Sequence, residues 1–216
     1  MNRPLSTILG ALVLALPAGP IIARQVTVNR IVARVENDII LQSDVRELQR
    51  YQELLDGKSE SQDQALDRLI DQWIVRSEAE LSQFPHPKDE DVDRGVQRVE
   101  KSFASTEEYK SREKQCGMTD AEVRKIVASQ LYLSNYLDSR FRPSSQVSEA
   151  EIEDFYQKKI IPTAQARGQQ PPTLDAARET IQEALIQGKI TAQTDQWLKE
   201  SRDRLQVEKY LGEGSK

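Results

Sequence analysis

Cysteine and histidine, the side chains on which most metal and nucleophilic sites depend, are nearly missing from this sequence. The 216 residues contain one of each, Cys116 and His86. A single cysteine cannot form an internal disulfide, and a lone histidine between two prolines has no partner for a zinc site or a catalytic dyad. We interpret Cys116 as a buried small apolar residue and His86 as a loop residue. The sequence therefore predicts no enzymatic activity, no metal and no cofactor.

Aromatic residues, glycine and proline are also scarce. Aromatics make up 6% of the chain, and glycine and proline number 9 each, a composition that favours helices over a strand-rich sandwich. With 38% hydrophobic and 30% charged residues, the chain can bury a core as one domain or two small ones. The net charge is -5, and no cluster of Lys and Arg occurs. A nucleic-acid partner is not expected, because it would require a basic face.

Long apolar runs are limited to one, from Leu5 to Leu16, which is shorter than the roughly 20 residues of a membrane-spanning helix. Arg3 precedes this run, and proline and small residues follow it, which is the layout of a secretory signal peptide cleaved after Ala23. An uncleaved anchor is the alternative. We predict that residues 1–23 direct export to the periplasm, and that the cleaved chain has no stable membrane insertion.

The stretch 30–41 has the pattern of a β-hairpin. Apolar and polar residues alternate in its first half, Glu-Asn-Asp follows as a turn, and an apolar run resumes after the turn. A lone hairpin is marginally stable in water and needs a third strand or a helical layer. We predict that residues 206–210 supply this third strand. The first-strand residues predicted to share one face are Ile31, Ala33 and Val35.

Several helix starts are marked by capping residues. Three positions combine a Ser or Thr with a Glu three residues later, the spacing at which cap and third residue bind each other's free backbone N–H groups. A fourth start is assigned to Ser43, and Gly117 is predicted to cap a helix C-terminus. The three capping boxes are Ser105 with Glu108, Thr119 with Glu122, and Ser148 with Glu151.

Apolar periodicity predicts which helix faces are buried. One helix runs to about Leu81 with Trp73 in the core, and another spans 120–141. In the second helix, Tyr132 and Tyr136 lie almost opposite the apolar stripe, which would expose two aromatic rings. We take this pair as a candidate contact surface. Burial under another helix is the alternative.

A later helix, "SEAEIEDFYQKKII", adds Phe155 and Tyr156 to the candidates and is predicted to end at Pro162. The run "PTAQARGQQPPT" that follows is rich in turn-forming residues and indicates a loop. Beyond the loop, two sets of apolar residues form helical faces. The first set is Leu174, Ala177, Ile181 and Leu185, and the second is Ile190, Trp197, Leu198, Ser201 and Leu205.

The order of these elements resembles the SurA-type periplasmic chaperones. In that family a strand, a turn, a second strand and the phrase "ILxSDV" lead into the first helix, as in "RIVARVENDIILQSDV". The resemblance continues through "LDRLIDQWIVRSEAE" and "DEDVDRGVQRV". The segment "DAARETIQEALIQGKITAQTDQWLKESRDRLQVEKYL" is similar to the family's C-terminal segment, a helix pair followed by a strand. The resemblance covers nearly all of the chain after the signal segment.

The resemblance implies a mainly α-helical core with a small antiparallel β-sheet formed by an N-terminal hairpin and a C-terminal strand. In the family, one or two parvulin-type prolyl isomerase modules lie between the N-terminal and C-terminal segments. Their "HILL"-like strand, Gly-Gly pair before an aromatic residue and "FHI"-like strand do not occur in this sequence. The implied organisation is a helical domain at 24–162, a surface loop at 163–172 in place of the module, and C-terminal helices and a strand at 173–216 that pack back on the N-terminal domain.

The resemblance also implies a function, since the family binds unfolded outer-membrane polypeptides in transit. It predicts a periplasmic, ATP-independent holdase chaperone, and the four aromatic candidates would contact its clients. A dedicated envelope interaction or assembly protein on the same scaffold is the alternative, and a peptidyl-prolyl cis-trans isomerase would need the missing module. Client identity and oligomeric state stay open. The candidate client-binding residues are Tyr132, Tyr136, Phe155 and Tyr156.

Overall fold

The N-terminal hairpin is joined by a strand from the other end of the chain. The computed structural model describes residues 29–210, so the predicted signal peptide at 1–23 lies outside the described residues. Strands β1 (Ile31–Val35), β2 (Asp38–Leu41) and β3 (Val207–Lys209) form an antiparallel sheet in the order β2-β1-β3. Both the hairpin and the third strand predicted for 206–210 are confirmed.

The pattern of buried and exposed side chains along β1 differs from the predicted alternation. The register with β2 shifts between Ile31 and Ala33, and as a result Val32, Ala33 and Val35 are all fully buried while Ile31 is 42% exposed. A bulge adds one residue to one strand of a ladder and redirects the side chains on either side of it. The prediction that Ile31 shares the inner face was therefore wrong.

Helices account for most of the remaining described residues. The predicted helix end at Leu81 and the predicted span 120–141 are confirmed. No helix within residues 29–210 is long and apolar enough to cross a membrane. The helices are α1 (Gln42–Asp56), α2 (Gln62–Leu81), α3 (Asp89–Lys101), α4 (Thr106–Gln115), α5 (Asp120–Phe141), α6 (Glu149–Phe155), α7 (Ile161–Ala166) and α8 (Leu174–Arg202).

Most of the predicted helix caps are present. Thr119 and Ser148 form complete capping boxes at the starts of α5 and α6. Ser105 accepts the N–H of Glu108 at 3.1 Å, but the Glu108 carboxylate binds the N–H of Ala104 instead of returning to Ser105, so this box is half formed. Gly117 adopts a φ of 64° directly after the α4 cap residue, the left-handed conformation that ends helices at low cost.

Ser43 is not the N-cap of α1, and that prediction was wrong. Helix α1 begins at Gln42, directly after β2, which is two residues earlier than an N-cap at Ser43 would place it. The Asp44 carboxylate accepts the N–H of Leu41 at 2.9 Å and so performs the capping, while the Ser43 hydroxyl accepts a hydrogen bond from Asn29. Because strand and helix are continuous, no loop residue is left to act as a cap.

Helix α5 lies at the centre of the helical layers. It contacts α3 on one side and α2 and α8 on the other. Gly95 allows the close approach of α3, because a Cβ at this position would lie 2.6 Å from Cγ1 of Val127 on α5. The apolar face of α2 packs under the sheet, and Trp73 donates from Nε1 to the Asp38 carboxylate at 2.9 Å.

Pro162 does not end the preceding helix, contrary to prediction. The chain passes from α6 through a π-helical turn at Tyr156–Ile160 directly into α7, whose first turn contains Pro162. The proline is accommodated next to the π-helical turn, where the regular hydrogen-bond ladder of the helix is already interrupted. The loop consequently occupies 167–173 rather than the predicted 163–172.

The C-terminal segment contains one long helix where the resemblance implied a helix pair. Helix α8 continues through Gly188 without a break. An interior glycine costs about 1 kcal/mol relative to alanine. This cost is smaller than the stabilisation from packing, since Ile181 and Ile190 are buried on either side of the glycine. The predicted division of this segment into two helices was therefore wrong.

Arg202 and Lys209 fasten the C-terminal end of the described chain to α2. Arg202 donates to the carboxylates of Asp71 at 2.7 Å and Asp67 at 2.9 Å, and Lys209 lies 2.8 Å from Asp67. Burial raises the pKa of Asp67, but the hydrogen bonds from Lys209 and Arg202 outweigh it and leave this pKa below its usual value. The ion pairs hold α8 and β3 against the same helix that supports the hairpin.

The loop at 167–173 is expected to tolerate insertion. Roughly doubling its length with a Gly/Ser segment between Gln169 and Gln170 should cost about 0.6 kcal/mol, or a melting temperature lower by about 2 °C. This site avoids Gly168, whose φ of 67° ends α7. Calorimetry on the full chain measures the effect. The same segment inserted after Gly188, inside α8, is the control and should cause a large loss of stability; a comparable loss from the loop insertion would contradict the prediction.

Candidate functional site

The tyrosine pair predicted to be exposed is buried. Tyr132 and Tyr136 have only 4% and 5% of their surfaces accessible. They pack against α2, against Phe84 and against Trp197 of α8, and the ring centroids of Phe84 and Tyr136 lie 5.6 Å apart. The expectation of an exposed aromatic surface was therefore wrong, and the alternative of burial under other helices is confirmed.

The error arises because α5 has two buried faces and periodicity identified only one. Val123 and Val127 lie in a cluster with α1, α3 and α4, while Leu133 and Tyr136 lie in a separate cluster with α2 and α8. An interior helix presents apolar residues in more than one direction. The Tyr136 hydroxyl accepts a hydrogen bond from Arg140 at 3.0 Å, so the buried ring keeps a satisfied polar end.

Phe155 and Tyr156 belong to a different part of the molecule. Both are half-buried and pack with Ile152 and Ile181 where α6 meets α8. The Tyr156 hydroxyl donates to the carbonyl of Pro172 at 2.6 Å and fixes the end of the 167–173 loop. The structure therefore divides the four aromatic candidates between two clusters and does not bring them together in one surface.

An open groove of about 500 Å³ lies between α1, α2 and α5, bordered by the loop that precedes α3. We call it the α2–α5 groove. Leu69, Ile126 and Ala128 in its wall are only half-buried and so present apolar surface to solvent. Its size is that of a site for a small ligand or a few side chains. The apolar lining consists of Leu48, Leu69, Pro87, Val92, Ile126, Ala128 and Tyr132.

The rim of the groove carries charges of both signs. Lys125 lies 3.2 Å from Glu47, and Arg124 lies 3.0 Å from Asp89. These pairs are largely exposed, and exposed ion pairs contribute about 0–1 kcal/mol each. Arg76 donates to the hydroxyl of Ser129 at 2.8 Å across the groove. The rim charges are therefore paired with one another and add little to the stability of the fold.

His86 covers the end of the groove formed by Tyr132. The two rings stack with centroids 4.3 Å apart and an angle of 18° between their planes. His86 is exposed in the loop between α2 and α3, which confirms its prediction as a loop residue. Burial raises the pKa of Tyr132, and the nearby Glu80 raises it further. The tyrosine therefore stays protonated at neutral pH.

A buried carboxylate that sequence reasoning did not single out lies at the end of α4. Glu113 is 7% exposed, accepts a hydrogen bond from Lys110 at 3.1 Å, and has a second oxygen without a partner among the described residues. Burial raises its pKa, although Lys110 opposes the shift. Burial and the Glu113 charge also raise the pKa of Tyr109 to about 12. None of these residues lines the α2–α5 groove.

Neither an activated thiol nor a metal-binding cluster is found among residues 29–210. Cys116 is half-buried rather than buried, lies outside the groove, and has a pKa raised by burial and by Glu53, so its thiol is not activated. Within residues 29–210, no three His, Cys, Asp or Glu side chains converge to hold a metal ion. The geometry supports reversible apolar contact.

Sequence reasoning missed the groove residues because it searched for aromatic rings. Ile126 lies on α5 one turn after the buried Val123, yet it borders the groove with part of its surface open. Leu69 lies at the edge of the buried stripe of α2. Positions at the margins of an apolar stripe are those left partly exposed between two helices, and this signal could have marked Leu69 and Ile126 as half-exposed residues.

Two comparisons of this sequence with known proteins found no match. No protein-family model matches it. No curated protein matches it either. Its function is therefore inferred from the groove, the fold and the sequence resemblance.

Proposed function

We propose that this protein is an ATP-independent holdase of the periplasm that binds unfolded outer-membrane polypeptides in transit. The observation that carries the proposal is the α2–α5 groove, with an apolar lining, solvent access and a rim of weakly paired charges. The sheet supports it as well, because its hairpin is closed by a C-terminal strand in the order that the SurA-type resemblance implies. If the resemblance holds, the short 167–173 loop takes the position of the family's isomerase module.

Binding in this groove would be weak and reversible. Burying two aliphatic side chains of a client contributes roughly 3–6 kcal/mol. Ordering an extended segment costs a comparable amount, because each fixed residue loses about 1–2 kcal/mol of backbone entropy. Affinity then depends on several such contacts at once. A client that begins to fold withdraws its apolar side chains and dissociates without a supply of energy.

Blocking the groove tests this function. In Ala128→Glu a carboxylate projects into the apolar lining, and we expect about tenfold more protein to be needed for half-suppression of client aggregation. The matched control is Ala184→Glu, an exposed position of α8 outside the groove. The clients are two unrelated outer-membrane β-barrel proteins diluted from urea, and light scattering measures their aggregation.

The outcome separates the candidate functions. Wild type and Ala184→Glu should protect both clients, and Ala128→Glu should retain a melting temperature within about 3 °C of wild type. If Ala128→Glu and Ala184→Glu suppressed client aggregation equally well, the groove would not be the client-binding site. Failure of the wild type to protect either client, with one partner co-purifying at fixed stoichiometry, would indicate a dedicated assembly protein instead.

A further inference from the structure

In the part of the chain that the structure describes, strand β3 has one edge without a neighbouring strand. The hydrogen bonds from Glu36 N–H to the Gln206 carbonyl at 2.9 Å and from Tyr210 N–H to the Val32 carbonyl at 2.8 Å fix its register with β1. Backbone groups alternate sides along a strand, so those of Val207 and Lys209 point away from β1. Within residues 29–210, β3 pairs with β1 alone. Two N–H and two C=O groups therefore face outward.

The opposite edge of the sheet is closed, which makes the two edges unequal. Strand β2 continues directly into α1, and the outward N–H of Leu41 is bound by the Asp44 carboxylate at 2.9 Å. Only Ile39 is left with both backbone groups directed outward along β2. An added strand could form few bonds on that side. At β3 it could form a regular pair of bonds at each of two positions.

One common protection of an edge strand, a lysine that projects freely into solvent, is absent from β3. Here the Lys209 ammonium lies 2.8 Å from Asp67 and 3.2 Å from Asp63, so it is held against α2 on the helical side of the sheet. Val207 packs on the core cluster beneath the sheet. Glu208 and Lys209 are both exposed, but side chains alternate along a strand, so Glu208 lies on the opposite face from Lys209, where its carboxylate accepts a hydrogen bond from the Tyr210 hydroxyl.

We propose that the outer edge of β3 is a strand-addition site, which accepts an extended segment of a client carrying a basic residue opposite Glu208. This inference rests on the proposed function and names how clients are held in addition to the groove. Main-chain hydrogen bonds are independent of sequence, which suits a protein that accepts many polypeptides. The residue facing Glu208 across the new pair would lie about 5 Å away from it, Cβ to Cβ, and a basic side chain there is favoured.

A second copy of the chain is a poorer occupant of this edge. Two β3 strands related by a two-fold axis use all their outward groups only when Glu208 of one copy lies opposite Glu208 of the other. Like charges directly opposite each other destabilise a strand pair. The same carboxylate that attracts a basic client segment therefore opposes self-pairing through β3.

The test uses the full chain and two synthetic peptides, in which valine alternates with lysine or with glutamate. Fluorescence anisotropy should show the lysine peptide binding the wild type about tenfold more tightly, with Glu208→Lys reversing this order. Val207→Pro removes one outward N–H without breaking a bond to β1, and should weaken lysine-peptide binding more than tenfold. Val207→Ala is the control, because it loses the side chain but keeps the N–H, and should change binding less than threefold.

The result is separable from a failure of the proposed function. If Val207→Pro binds the peptides and protects unfolded clients as well as Val207→Ala does, the edge site is overturned while holdase activity stands. If the wild type protects no client yet shows the expected peptide pattern, the edge site stands and the holdase function fails. A wild-type dimer in sedimentation equilibrium that Val207→Pro abolishes would show that the edge binds a second copy, and would overturn the inference.

Discussion

Replacing Tyr132 and Tyr136 together by serine is expected to lower the free energy of unfolding by about 5 kcal/mol or more. Removing a buried aromatic ring costs about 3–5 kcal/mol, and adjacent changes are not simply additive. Both rings lie in the cluster that joins α2, α5 and α8. Since domains are stable by only about 5–15 kcal/mol, much of the variant would be unfolded at 37 °C. Urea denaturation followed by far-UV circular dichroism measures the loss.

The matched control replaces both tyrosines by phenylalanine. This change keeps the rings and removes the hydroxyl groups, one of which accepts the hydrogen bond from Arg140. A loss of about 1–2 kcal/mol is expected, the scale of a single hydrogen bond. If the serine variant were as stable as the phenylalanine variant, the rings would not be packed between the helices as described.

Ending the chain after Gly188 is expected to abolish cooperative folding of the whole domain. The truncation removes half of α8 together with β3, and with them Trp197 from the cluster around α5. It also leaves Asp67 and Asp71 without Arg202. The hairpin would then be a two-stranded sheet, which is marginal on its own. Hydrogen exchange should show loss of protection in α2 as well as in the hairpin.

The control for this truncation is a chain that ends after Tyr210. It retains every hydrogen bond between β1 and β3, including that from Tyr210 N–H to the Val32 carbonyl. Its melting temperature should lie within about 3 °C of the full chain. A folded and cooperative protein ending at Gly188 would show that the N-terminal helices form an independent domain, contrary to the prediction.

Local signals in the sequence predicted local structure well. Thr119 and Ser148 were assigned as caps because the interacting groups lie three residues apart, and no distant part of the chain can replace them. Ser43 failed because its position depended on where β2 ends, which the register with β1 determines. A helix cap can be predicted reliably only where the preceding residues are not held by another element.

Features set by tertiary packing were predicted less well. Whether Tyr132 is exposed depends on whether α2 and α8 cover α5. Helical periodicity carries no information about such coverage by other helices. Pro162 and Gly188 are unfavourable within helices by propensity, yet the chain continues as helix through both. The third strand was predicted because a hairpin alone cannot be stable, which is a requirement of the whole fold. The α2–α5 groove needed the relative placement of three helices and could not be located beforehand.

The pairing of β1 with β3 also determines how the domain responds to mechanical force. The start of β1 and the end of β3 lie side by side, since Tyr210 N–H bonds to the Val32 carbonyl. A force that separates these two chain ends acts along the interstrand hydrogen bonds and perpendicular to the strands. The interstrand hydrogen bonds then break one after another. Under a shearing force they would all be loaded at the same time. The sheet that closes the fold is thus the first element to yield when the domain is pulled apart by its ends.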